Sequence, residues 1–253
     1  MKYTFFILLL VNLFACGNKN NTETIAKNAP TMPQSEIQET KTPVTPEKAP
    51  SPLEQSLIDA GLANIKTEIP AVFVELKYST TDNFFQQDVY GDLENCYLQP
   101  EVTNMLQKAL VQLQKNHPEL TFLVYDGVRP RSVQQILWDS LDKPDSLKPL
   151  YVANPQRGSL HNYGVAVDLT LADAASGKAL DLGTHYDYFG YPAYPDREQQ
   201  MLREGKISQD HLDRRLILRE AMTAAGFSPI GSEWWHFNAF SLKVAKEKFK
   251  IVE

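Results

Sequence analysis

Cysteine is almost missing from this sequence, with two in 253 residues, Cys16 and Cys96. Only Cys96 lies in the part that reads as folded, so no internal disulfide can staple it. Cys96 itself reads as a small buried hydrophobe. Long basic runs are missing too, and the formal net charge is −6. That balance argues against a nucleic-acid partner. No glycine-rich phosphate loop of either common type occurs, so nothing points to a nucleotide cofactor. No internal repeat, second domain boundary or obligate protein partner is evident. The most apolar stretch, "FFILLLVNLF" after Lys2, is too short to span a bilayer.

That stretch has instead the length of a signal-peptide core. It ends in "LFAC", Leu13 to Cys16, and a small residue before a cysteine resembles the lipobox of a bacterial lipoprotein. The resemblance implies that residues 1–15 are cleaved after Ala15 and that Cys16 carries a lipid anchor. It also implies an exported protein on the periplasm-facing surface of a membrane. Residues 16–52 are polar and proline-punctuated. They have too little apolar surface to offset ordering entropy and read as a flexible tether. Residues 53–253, roughly 200, suffice for one well-buried domain.

Within that domain, "AVFVELKY" (Ala71 to Tyr78) reads as a strand before the polar break "STTDN". Val102, Met105, Leu106, Ala109, Leu110 and Leu113 fall on one face of a helix that stops before Pro118. "LTFLVYDG" reads as a buried strand, and "RSVQQILWDSL" as a short helix begun at Pro130. "GVAVDLTL" is a strand with Ala166, Asp168 and Thr170 on one face and Val165, Val167, Leu169 and Leu171 on the other. A helix is expected from a Ser208 cap to a Gly226 stop, then "SEWWHFNAF" and a last helix through Lys250. Strands and helices do not alternate regularly. The fold class is therefore α+β, a small, mostly antiparallel sheet with helices packed on it.

Among the five histidines, His117 reads as a solvated helix-end residue, His211 as a polar-side residue without a role, and His185 as undecided. His161 and His236 stand beside carboxylates. If the "HNYG" turn folds back, His161 and Asp168 reach one face, as a metal site or as a buried Asp satisfied by amides. In "EWWHF", Glu233 and His236 lie among Trp234, Trp235 and Phe237. Burying both costs much unless they are used. Two His and one Asp would supply three zinc ligands and leave a fourth position open, with Glu233 as a base. Glu233 and His236 would fall on opposite faces of a regular strand, so the segment must twist or bulge. Arg129, after a buried strand and a glycine, either stabilises negative charge on a carbonyl oxygen or simply pairs with Asp126.

The pattern S-x-H-x-x-G-x-A-x-D at Ser159–Asp168, with E-x-x-H at Glu233–His236, resembles the zinc D,D-peptidases of bacterial cell walls. Their fold is shared with the amino-terminal signalling domain of hedgehog proteins. "DGVRP", "AVDLTL", "EWWHF", "LKYSTTDNF" and "LGTHYDYF" look like the D-alanyl-D-alanine dipeptidases, including the vancomycin-resistance type. The likeness runs from Glu75 to Phe237. It implies one Zn²⁺ held by His161, Asp168 and His236, Glu233 as general base and acid, and Arg129 as transition-state stabiliser. It further implies that Ser159 holds substrate, while Tyr78 and Asp187 receive the ammonium group of D-Ala-D-Ala. Beside the first ligand the resistance-type enzymes carry serine and arginine. Asn162 and Tyr163 stand there in this chain, which implies a reshaped pocket rim. Two alternatives are a D,D-carboxypeptidase trimming peptidoglycan stem peptides and a zinc-stabilised wall-binding module without catalysis.

Overall fold

The apolar runs Leu120–Asp126 and Ala166–Asp173 lie side by side at the centre of one sheet in the computed structural model, which describes residues 49–253. The signal peptide, the Cys16 lipid site and the tether up to residue 48 lie outside the described residues. Pro52, assigned above to the end of the tether, is the first residue of a helix capped by the Ser51 hydroxyl.

In chain order the elements are α1 (Pro52–Asp59), β1 (Ala63–Asn64), α2 (Ile65–Glu68), β2 (Phe73–Val74), β3 (Tyr97–Leu98), α3 (Pro100–Asn116) and β4 (Leu120–Asp126). There follow α4 (Arg131–Asp139), β5 (Ala166–Asp173), α5 (Glu198–Arg203), α6 (Gln209–Ala224), β6 (Ser228–Pro229), β7 (His236–Asn238) and α7 (Leu242–Lys248). The main sheet has the order β2-β4-β5-β7-β6, antiparallel except for the β2–β4 pair. This is the mixed, mostly antiparallel α+β architecture expected from the sequence.

Cross-strand pairing puts Phe122 opposite Leu171 and Val124 opposite Leu169. All four are buried, and α3 and α6 pack on these strands and on each other. Truncating one such fully buried leucine costs about 2–5 kcal/mol. The register then shifts between Val124 and Asp126, leaving Tyr125 extra and setting Asp126 opposite Asp168. A bulge of this kind re-aims side chains at the end of a ladder. Here it brings a second carboxylate to the face that carries Asp168.

Three local readings change. The expected strand over Ala71–Tyr78 pairs only at Phe73–Val74, and Lys77–Ser79 form a 3-10 turn instead. That turn sends Tyr78 inward, where its hydroxyl meets Asp187. His211 does have a role, because it completes a capping box with Ser208 at the start of α6 and bonds Asp181 through Nε2 at 3.2 Å. The last helix ends at Lys248, two residues early, and the chain continues extended. Val252 is then clamped, donating to Asn162 O and accepting from Arg131 N, both at 2.8 Å. Among the described residues no helix is long and apolar enough to cross a membrane.

Candidate metal centre and active site

Asp168 enters the site because the polar face of β5 ends there, and His236 is its direct partner across the β5–β7 ladder. His161 arrives from a 3-10 turn, Leu160–Tyr163, closed by Gly164 in the left-handed conformation. Three ligand atoms converge. His161 Nε2 lies 3.2 Å from His236 Nδ1 and 3.4 Å from Asp168 Oδ1, and the latter two atoms are 2.9 Å apart. Tetrahedral zinc with bonds of about 2.0–2.1 Å separates its ligands by roughly 3.3 Å, so the triangle fits. The outer nitrogens are committed elsewhere. His161 Nδ1 donates to Gly127 O at 2.7 Å, and His236 Nε2 donates to Asn238 Oδ1 at 2.8 Å. With a metal in place of the His236 Nδ1–Asp168 bond, those outer bonds would hold the tautomers in which both inner nitrogens ligate.

Glu233 reaches the same cavity because a turn at Trp234–Trp235 precedes β7. Both indoles are buried, and Trp234 Nε1 donates to Thr184. The anticipated break in strand geometry is therefore a turn anchored by two tryptophans. The cavity, about 400 Å³, is also lined by Arg129, Tyr78, Asp187 and Ser159. Arg129 is buried, lines the cavity and makes the pairing with Asp126. Its Nε and Nη2 donate to Asp126 Oδ2 at 3.0 and 2.5 Å, and Nη1 donates to Gln134 Oε1 at 3.1 Å. Its guanidinium also stacks 4.8 Å from the centre of the Tyr78 ring. Asp187 accepts a hydrogen bond from Tyr78 Oη at 3.1 Å. Ser159 Oγ accepts from His161 N at 3.3 Å and so caps the ligand turn.

The sequence profile of the D-Ala-D-Ala dipeptidase family matches residues 59–252. The chain belongs to that family. It is 32% identical over 182 residues to the D-alanyl-D-alanine dipeptidase of Escherichia coli (strain K12), covering 70% of this chain and 83% of that protein. It is 27% identical over 178 residues to the D-alanyl-D-alanine dipeptidase of Enterococcus faecalis, covering 64% and 83%. Among solved structures, VanYB in complex with D-alanine-D-alanine is similar at 15% identity and a TM-score of 0.37, over 61% of this chain and 78% of that one.

For a D-Ala-D-Ala dipeptidase, a zinc metallopeptidase, the electrostatics of the cavity are coherent. Burial opposes the charge on Asp168, yet the imidazoles of His161 and His236 hold it well below the usual carboxylate range. Burial likewise opposes the charge on His236, while its bond to Asp168 pushes it up to about 9. Burial raises Glu233, with Asp168 adding to it and His236 opposing. Burial and the charge of Asp168 raise Asp187 well above its ordinary value.

The rim reading of Asn162 and Tyr163 is corrected. Both are buried, and neither lines the cavity. Asn162 instead bonds Ser159 N through Oδ1 and Arg129 O through Nδ2, at 2.6 and 2.7 Å, tying the ligand turn to the arginine loop. His117 closes α3 as expected. His185 is exposed and bonds the Tyr186 carbonyl. Tyr186 and Asn238 are site residues that the sequence reading does not name, whereas Asp126 is the partner it names for Arg129. Asn238 alone carried a readable signal, standing two residues beyond His236 and so on the same strand face.

Proposed function

We propose that this chain hydrolyses the free dipeptide D-Ala-D-Ala to two D-alanines, and that it does so as an exported lipoprotein tethered through Cys16. The observation that carries the dipeptide reading is the buried Asp187–Tyr78 pair in the same cavity as the His161, Asp168 and His236 triangle. A free ammonium beside the scissile bond distinguishes the dipeptide from the end of a wall peptide. Asp187 answers that feature with a carboxylate, and Tyr78 adds a phenol oxygen.

His161, Asp168 and His236 would hold the zinc, and the metal when bound supplies a Lewis acid that polarises the carbonyl and acidifies water. Glu233 takes the proton of the attacking water and hands it to the leaving amine. Its raised affinity for protons suits a group that must do both. Arg129, fixed by Asp126 and Gln134, faces the negative charge that develops on the carbonyl oxygen. Ser159 spends its oxygen lone pair on His161 N and keeps its proton for the substrate. The tether reading is supported by the "LFAC" stretch and the polar residues after it.

Purified protein incubated with D-Ala-D-Ala, its N-acetylated form and a stem pentapeptide should release D-alanine quickly from the first alone. Asp187→Ala should lose that preference by roughly thirtyfold or more, as for a buried charge pair stripped of one partner. Equal cleavage of the three substrates by the wild type would favour the carboxypeptidase instead. Lipid labelling of the expressed chain should disappear in Cys16→Ser.

A further inference from the structure

Asp187 has a left-handed backbone, φ 59°, uncommon for a residue other than glycine. Successive side chains of an extended chain point to opposite sides. The left-handed step lets two successive residues, Tyr186 and Asp187, both line the cavity. Asp187 serves the amine end. Tyr186 turns to the metal triangle, and its hydroxyl donates to Asp168 Oδ2 at 2.8 Å. The other oxygen of that carboxylate, Oδ1, faces His161 and His236.

We propose that Tyr186 is a positioning residue that keeps Asp168 on the metal through one oxygen. The inference rests on the reading of His161, Asp168 and His236 as zinc ligands. A carboxylate with both oxygens free can swing to chelate. That would add a ligand where a three-residue catalytic site must leave a position open. The phenol prevents the swing by occupying Oδ2. Arg129 Nη2 is 4.0 Å from the same oxygen, too far for a hydrogen bond, so the phenol sets the orientation. The ring itself cannot drift. Tyr125, Trp235 and Tyr78 surround it with centroids at 5.2, 5.4 and 6.1 Å.

Tyr186→Phe removes one hydroxyl and keeps the ring, and metal-free melting reports whether the fold is intact. Zinc affinity by competition with a chromophoric chelator should weaken about tenfold to hundredfold, as for other lost partners of metal ligands. The cobalt-substituted variant should lose visible band intensity as its coordination number rises. Tyr125→Phe, which alters a ring neighbour without touching Asp168, should change neither reading. Unchanged zinc affinity and an unchanged cobalt spectrum in a folded Tyr186→Phe protein overturn the inference and leave the ligand assignment standing. X-ray absorption of the zinc-loaded wild type tests the same point without a variant, and a chelating carboxylate there overturns it. A wild type that takes up no zinc overturns both this inference and the ligand reading.

Discussion

Two buried carboxylates near the site stand in opposite conditions, Asp187 lining the cavity and Asp126 lying outside its wall. Asp126 is fully served: it accepts from Tyr90 Oη at 2.7 Å, from Gly127 N at 3.0 Å, and from two nitrogens of Arg129. Asp187 accepts from Tyr78, adopts a left-handed backbone, and is pushed by burial and by Asp168 toward its neutral form. Both are nearly inaccessible to water. The difference teaches where the protein stops and the ligand begins. A carboxylate whose lone pairs are filled from within belongs to the scaffold. One that burial has left short of positive charge suits the proposed role of receiving a cation from the substrate. Glu233, also raised by burial, stands with Asp187 in this respect.

The sharpest way to break the contrast is Asp126→Ala. It strands the Arg129 guanidinium in a buried site, and the loss of a buried partner costs about 3–5 kcal/mol. Denaturant unfolding should register that loss, and turnover should fall with it. Next comes Glu233→Gln, which keeps size but removes the proton acceptor. Turnover on D-Ala-D-Ala should drop by about a hundredfold or more with zinc content unchanged, read by metal analysis beside the assay. The smallest effect has the opposite sign. Asp187 has a folded pKa raised above its unfolded value. The stability it contributes is therefore present at pH below about 4, its unfolded pKa, and is lost as pH rises through the folded one. Asp187→Asn, which never ionises and tolerates the left-handed backbone, should melt above the wild type at pH 8 and lose that advantage near pH 4. Each kcal/mol gained appears as about 2–4 °C in Tm for a domain of this size. If Asp187→Asn instead melts lower at every pH, Asp187 belongs to the scaffold and the contrast fails.

What could be read ahead of the structure follows from how far each signal reaches along the chain. β4, β5, α3 and α6 were legible because runs and periodicities of apolar residues are local. The meeting of His161, Asp168 and His236 was legible because each residue carries its own chemistry and the family pattern supplied the order. Strands of two residues, such as β6 with its proline, have no periodicity to detect. The bulge at Tyr125 is a property of two strands together and cannot be seen in either. The supporting shell was lost for the same reason. Tyr186 meets Asp168 across 18 residues of chain and Tyr90 meets Asp126 across 36, with no motif linking them. Arg129 illustrates a different limit: the pairing with Asp126 is compatible with a place in the cavity wall, so it does not decide between the two readings of that side chain.

The clamp on Val252 has a consequence in time. That residue bridges the turn carrying His161 and the first residue of α4, and His236 joins the site only sixteen positions before it. A ribosome adds residues at about 5–20 per second and domains begin to form from their amino-terminal side. The nascent chain thus passes through the 68 residues from Asp168 to His236 with His161 and Asp168 made but lacking the third member of the triangle and the strap. If the three residues hold zinc as proposed, their full donor set exists only once the polypeptide is nearly finished.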